Sequence, residues 1–245
     1  MVDPEEAEGG DGAQPVRRIV AVIPARGGSR GIPGKNLVDF CGKPLVAWSI
    51  EQARASRRIA ETYVSSDSAE ILAVAERYGA VPIERPAHLS GDAASSESAW
   101  RHALDLIESD GRTVDLIAGL QPTSPVREPD DLDGAIDLLE SNHYDSLLSC
   151  TALVDYFIWA REDDGPVSVN YDYRLRQPRQ KIETRFLENG SFYLFTPTVL
   201  RDAENRLGGR IGLFVMPKYK SFQIDDTADL AFVGAIMRGY GLARP

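Results

Sequence analysis

The chain is short of cysteine, of long apolar runs and of basic excess, and each shortage removes a class of function. Cys41 and Cys150 are the only cysteines in 245 residues. Two thiols make neither a disulfide framework nor a zinc site, and both read as small buried residues. No stretch approaches the ~20 apolar residues needed to span a bilayer. The 27 Lys and Arg are outnumbered by 37 Asp and Glu, a formal charge of −10, which argues against a binder of nucleic-acid backbones. A small anion is not excluded, because a local pocket can be positive on an acidic protein. Five acids (Asp3, Glu5, Glu6, Glu8, Asp11) and no Lys or Arg occupy residues 1–16; without them 32 acids face 27 bases, a charge of −5. Half of the excess therefore sits in an acidic tail, expected to be disordered and unlike a secretory signal. A cytoplasmic protein is expected, with residues 17–245 as one domain.

What is present is alternation. Ile19-Val20-Ala21-Val22-Ile23 is a continuous, largely β-branched run of the kind found in strands buried on both faces. Strand-length runs recur at 62–66, 81–84, 116–120, 146–151, 191–195 and 210–216. Segments of helical period fall between them at 44–56, 68–78, 95–109, 129–141 and 227–240. The fourth opens on Pro129 with Asp130, Asp131 and Asp133 close behind. That is a favourable helix start rather than a metal site. Such alternation predicts an α/β fold, a mostly parallel sheet between helical layers. It lapses at about 155–188, a stretch rich in Tyr, Arg, Asp and Pro that reads as an inserted, projecting segment. Tyr156, Phe157, Trp159, Tyr171 and Tyr173 give it an aromatic contact face, and a homodimer is predicted.

In open parallel sheets ligands sit at the carboxyl ends of the strands, so the loop after the first strand comes first. It runs from Pro24 to Asn36. Gly27, Gly28, Gly31 and Gly34 let backbone N–H groups approach an anion, while Arg26, Arg30 and Lys35 supply charge. This is equipment for a polyphosphate; the bland alternative is a solvated turn. A Walker A loop is ruled out by Ser29 at its first glycine and Asn36 at its hydroxyl position. Gly27-Gly28-Ser29-Arg30-Gly31 fits a serine-hydrolase elbow. However, Pro33 and Gly34 oppose the helix an elbow needs, and no histidine follows His143.

The loop reads IPARGGSRGIPGKN over 23–36. In order come Arg85-Pro86 with Leu89-Ser90 and Asp92; Ala94-Ser95-Ser96; Leu120-Gln121-Pro122-Thr123-Ser124-Pro125 with Arg127; Glu188-Asn189-Gly190-Ser191 with Tyr193; and Ile224-Asp225. On these motifs, spanning about 18–240, the chain resembles the cytidylyltransferases that activate nonulosonic acids, the N-acylneuraminate (CMP-sialic acid type) family. The resemblance implies a Rossmann-like fold of the nucleotide-diphospho-sugar transferase type. It also implies CTP and a sugar acid as substrates, Mg2+ as cofactor, and a CMP-sugar and pyrophosphate as products. Sialic, legionaminic and pseudaminic acids are the candidate acceptors.

By position, the resemblance implies that Arg26 and Lys35 bind the triphosphate, with Ala25 and Gly27 beside the nucleotide. Asn36, Arg85 and Ser96 fall at positions that recognise cytosine and ribose. Gln121 faces the acceptor or the nucleotide, and Tyr193 walls the sugar pocket. Asp225 falls at a metal carboxylate. The family often has a second acid two residues on; here that position is Thr227, and Asp226 is the adjacent acid taken with Asp225 as metal ligand. Arg30 stands where many relatives have Lys.

An acceptor carboxylate needs a cation, which Arg can bind bidentately. Arg174, Arg176, Arg179, Lys181 and Arg185 form a candidate cluster, with Arg179 assigned to the sugar. The cluster fits a solvated hairpin or subunit contact equally well. His88, His102 and His143 read as surface or packing residues, and no general base stands out. The alternatives are activation of another sugar acid (3-deoxy-manno-octulosonate type) or of a cyclitol, and a non-catalytic nucleotide-sugar binder. A mere binder has no need of Arg26, Lys35 and Asp225 together.

Overall fold

The computed structural model describes residues 17–29, 31–91, 94–154, 156–175, 178 and 181–243. The acidic tail, Arg30, Asp92, Arg176 and Arg179 lie outside the described residues. In chain order the elements are β1 (Ile19–Pro24), β2 (Asp39–Phe40), β3 (Lys43–Pro44), α1 (Leu45–Ala55), β4 (Glu61–Ser66), α2 (Ala69–Arg77), β5 (Val81–Glu84) and α3 (Ser96–Ser109). There follow β6 (Leu116–Leu120), α4 (Pro129–Ser141), β7 (Ser146–Leu153), β8 (Trp159–Glu162), β9 (Gly165–Ser168), β10 (Arg185–Phe195), α5 (Pro197–Asp202), β11 (Ile211–Val215) and α6 (Thr227–Gly239).

Seven strands make one sheet in the order β11-β7-β10-β6-β1-β4-β5. Only β10 runs antiparallel, against β6 and β7; the other neighbours are parallel. The β1 run is buried on both faces, as its composition predicts. Ile19, Ala21 and Ile23 pack with α1, α2 and α4, while Val20 and Val22 pack with α3 and α5. The result is the layered α/β architecture expected from the alternation, and it is Rossmann-like as the resemblance implies. No helix among the described residues is long and apolar enough to cross a membrane.

Two elements differ from the sequence reading. β10 starts six residues before 191, because its register against β7 breaks between Glu188 and Tyr193 and the break hides the alternation. α5 escapes a periodicity argument because six residues are under two turns. Its start was nevertheless written: Thr196 Oγ1 accepts from Val199 N, with Pro197 at the first helical position. In the 155–188 stretch, β8 and β9 pair only with each other among the described residues, and Trp159 packs edge-on to Tyr171 and against Tyr173.

A third core positions the site. Ile32 from the glycine-rich loop, Val126 from the loop after β6 and Ile224 from the segment before α6 meet Phe40, Leu45, Trp48, Val233 and Met237. Each such side chain contributes roughly 1.5–3 kcal/mol on burial. Three loops distant in sequence are thus drawn to one place.

Candidate active site

That place is a cavity of about 460 Å³ at the carboxyl ends of the strands, a size suited to a small ligand. The loop after β1 lines it with Pro24, Arg26, Gly28, Ser29, Gly31, Lys35 and Asn36. Arg85 follows β5, Ala94 to Ser96 open α3, Gln121 to Thr123 follow β6, and Asp225 precedes α6. The glycine-rich loop and Asp225 are in direct contact. A Cβ on Gly31 would lie 2.0 Å from the Asp225 carbonyl oxygen, so only glycine fits there. Lys35 Nζ donates to the Ile224 carbonyl at 2.9 Å and to Asp225 Oδ1 at 3.1 Å. The Lys35 side chain is 14% exposed and that of Asp225 73%, so the lysine is held from behind by an acid open to the cavity.

The remaining walls are fixed by short polar links. Asn36 Nδ2 donates to the Arg26 carbonyl at 2.9 Å, and Arg26 Nη1 to the Gly91 carbonyl at 3.3 Å. Gln121 Nε2 donates to Ser96 Oγ at 3.2 Å. Arg85 is buried, and its Nε donates to Ser90 Oγ at 3.0 Å. Burial pulls its pKa down, Asp67 opposes this and Arg26 adds to it. A buried guanidinium bonded to a hydroxyl rather than a carboxylate gains from an anionic or acceptor-rich ligand.

Several expected site residues stand elsewhere. Ala25 is fully buried, its N–H bonded to the Ser65 carbonyl as the β1–β4 pairing continues. The Gly27 N–H donates to Asp67 Oδ1 at 2.8 Å, so it is not presented to an anion. Neither residue lines the cavity. Tyr193 does not line it either. It projects from β10 into the core 6.1 Å from Trp100, its hydroxyl bonded to Glu188 Oε1 and Arg206 4.4 Å over its ring. Burial, then Glu188, raises its phenol pKa.

Asp226 caps α6: its Oδ1 accepts from Ala228 N at 2.8 Å and Asp229 N at 3.0 Å. Of the expected acid pair, only Asp225 reaches the cavity lining, and the described residues hold no cluster of three metal-ligating side chains. Arg179 lies outside the described residues. Arg174 sits over Tyr173 at 5.0 Å, while Lys181 and Arg185 line a separate 290 Å³ cavity with Tyr156, Phe157 and Tyr171.

None of the three histidines lines the cavity at the carboxyl ends of the strands. Among the described residues no helix follows Ser29 before the short 3-10 turn at Lys35–Leu37, whereas a serine elbow needs one directly after its serine. Asp131 and Asp133 are structural, bonded to Lys220 and to Ser56 and Arg57. Burial pushes the Cys150 thiol up to about 11, which leaves it inert. Asp67 is the contact that sequence reasoning missed. Asp67 and Ser68 are both possible caps for α2 by type, and it is Ser68 Oγ that accepts from Ile71 N.

A family model described as Cytidylyltransferase matches residues 20–199, from β1 into α5. The chain belongs to the cytidylyltransferase family. It is a nucleotidyltransferase. The pseudaminic acid cytidylyltransferase of Campylobacter jejuni subsp. jejuni serotype O:23/36 (strain 81-176) is 32% identical over 217 residues, covering 87% of this chain and 93% of that protein. The N-acylneuraminate cytidylyltransferase A of Danio rerio is 35% identical over 219 residues, covering 87% of this chain and 49% of that protein. A solved CMP:2-keto-3-deoxy-manno-octonic acid synthetase complexed with CTP superposes with a TM-score of 0.65 at 18% identity, covering 91% of this chain and 99% of that one. A 4-diphosphocytidyl-2C-methyl-D-erythritol synthase gives 0.66 at 13%, covering 90% and 99%. At these identities the two structures speak for the fold alone.

Proposed function

We propose that this cytidylyltransferase activates a nonulosonic acid of the sialic or pseudaminic type with CTP, giving the CMP-sugar and pyrophosphate. One observation carries the reading: Lys35, on the loop after β1, is bonded to Asp225, 190 residues away, on the wall of one cavity that also holds Arg26 and Arg85. The names of the two relatives supply the acceptor class.

A hydroxyl of the acceptor attacks the α-phosphorus of CTP. The new P–O bond forms as the bond to the bridging oxygen breaks, and negative charge gathers on the departing pyrophosphate. Fixed cations aimed at that charge lower the barrier because they bind it more tightly than the ground state. Arg26 and Lys35 are assigned this role, with Asn36, Arg85 and Ser96 around the nucleoside and Gln121 on the acceptor side.

Magnesium fits as a one-carboxylate site. Mg2+ commonly takes one or two protein carboxylates and completes its shell with water and substrate phosphates. Asp225 would hold it, and the ion would neutralise phosphate charge. Asp226 keeps its helix cap. In this reading the protein works in the cytoplasm as one catalytic domain over 17–245. The inserted segment before β10, with exposed Tyr156, Ile158, Trp159, Tyr173 and Leu175, is assigned to a homodimer contact that sedimentation at micromolar concentration would test.

The decisive assay is pyrophosphate release from CTP over a panel of nonulosonic acids, 3-deoxy-manno-octulosonate and a cyclitol, with and without Mg2+. Magnesium-dependent release with a nonulosonic acid is expected. Release only with one of the others moves the acceptor class, and none with any leaves a binder.

A further inference from the structure

The least expected charge in the molecule is Arg127. It is 1% exposed, among the largest fully buried side chains, and among the described residues no carboxylate bonds to it. Nη1 donates to the Ser191 carbonyl at 2.7 Å and to Ser191 Oγ at 3.2 Å, Nη2 donates to Ser49 Oγ at 2.8 Å, and Nε has no partner. Asp131, whose charge acts on it, is itself bonded to Lys220 Nζ at 2.6 Å. Burial pushes the guanidinium down to about 9, which still leaves it charged at neutral pH.

A buried cation without a counter-ion is a poor stability device, since an apolar side chain fills the same space at less desolvation cost. Its effect lies in what it holds. The Ser191 carbonyl accepts a second hydrogen bond, from Gln121 N at 3.2 Å, just beyond the last β6–β10 pair at Leu120 and Phe192. Gln121 then turns into the cavity wall with Pro122 and Thr123. Its side chain reaches Ser96, and the Thr123 carbonyl accepts from Ile224 N at 2.8 Å, beside Asp225 and Lys35. On the far side, Gln52 Nε2 clamps the same segment at the Pro125 and Arg127 carbonyls.

We propose that Arg127 is a positioning residue: through the Ser191 carbonyl it fixes Gln121, and with it the acceptor-side wall of the cavity, without touching either substrate. The kinetic part rests on the proposed function; the geometric part does not.

The test uses the full chain with Arg127→Met and Arg127→Lys. Misplacing one wall of a reacting site costs about tenfold to hundredfold in rate. Arg127→Met is therefore expected to lower kcat/KM for the acceptor by that factor. Its Kd for CTP, measured by calorimetry without acceptor, should stay within about threefold, because the loop after β1 is untouched. Arg127→Lys keeps the charge and one hydrogen bond and should recover part of the loss. Hydrogen exchange at the Gln121 amide should speed up in both variants while the β1 amides keep their protection. This readout needs no turnover, so it judges Arg127 even if the wild-type enzyme activates no sugar acid on the panel. If Arg127→Met does not fold, Arg127→Lys decides alone by the same two readouts. Unchanged Gln121 exchange, or CTP affinity falling as far as acceptor kcat/KM, overturns the proposal.

Discussion

The two ends of the sheet use the same residue types in opposite ways. At the amino ends of the strands five arginines face carboxylates, while Arg54 donates to the Tyr78 carbonyl. Arg18 and Arg112 meet Glu61, Arg57 meets Asp133, Arg58 meets Asp137 and Glu140, and Arg201 meets Asp105 and Glu108. At the carboxyl ends Arg85 is bonded to a hydroxyl, Arg127 to two hydroxyls and a carbonyl, and Lys35 to a carbonyl and the largely exposed Asp225. One end cancels its charge internally. The other keeps Arg85 and Arg127 free of acid partners among the described residues, although Lys220 there is bonded to Glu128 and Asp131, on a chain whose net charge is −10. Local arrangement rather than overall charge therefore decides where a polyphosphate can bind.

Removing charge from the two ends should accordingly have different consequences. The sharpest contrast is Lys35→Ala. Loss of one preorganised cation at the developing charge costs on the order of 10²–10³ in kcat, with stability nearly unchanged because the Asp225 partner is exposed. Steady-state kinetics beside a thermal melt checks both halves. Turnover near wild type would remove Lys35 from the mechanism and with it the contrast.

The next largest effect belongs to the opposite end and falls on stability. Asp133 accepts from Ser56 Oγ at 2.5 Å and from Arg57 Nε at 2.9 Å. Burial would raise its pKa, but the hydrogen bonds from Ser56 and Arg57 outweigh burial and hold it below the ordinary value. Asp133→Asn should cost about 1–3 kcal/mol at neutral pH and leave kcat alone. The sign follows from the depressed folded pKa. The carboxylate's contribution is complete above the unfolded value of about 3.9 and is lost as pH falls through the folded one. Urea midpoints of the two proteins should therefore stay apart from pH 5 to 8 and converge in acid. A gap that widens in acid would contradict the assigned hydrogen bonding.

The framework of this contrast is legible in the sequence, because strands and helices declare themselves by period. The β1 run, the Pro129 start of α4 and the glycine loop all do so. The resemblance adds that Lys35 and Asp225 belong to one site, which no local pattern could say. What stays hidden depends on register or on competition between neighbours. Tyr193 sits in the right motif, but strand alternation turns its ring into the core against Trp100. Asp226 cannot be told from Asp225 until the start of α6 takes its carboxylate. Likewise, only the structure shows that Ser68 caps α2 and so leaves Asp67 for Gly27.

Asp67 sharpens the comparison within the cationic end, because it is an acid beside an anion cradle. Its oxygen holds the Gly27 N–H, while its charge opposes that of an incoming phosphate. Asp67→Ala should loosen the loop and raise KM for CTP by about tenfold, the value of one charge-assisted hydrogen bond. Asp67→Asn keeps an acceptor oxygen and should stay within about threefold of wild type. Equal damage from both variants would mean that charge, not the hydrogen bond, is what the loop needs.

The smallest effect is expected where a charge pair touches neither end's work. Arg101 Nη2 lies 3.2 Å from Glu204 Oε1 across the outer face of α3, the side chains 41% and 75% exposed. Such pairs contribute roughly 0–1 kcal/mol and are screened by salt. Arg101→Ala should shift the urea midpoint by no more than that, less in high salt, with CTP kinetics unchanged. A large kinetic loss there would show that positive charge matters to this enzyme wherever it sits, and the distinction between the two ends would fail.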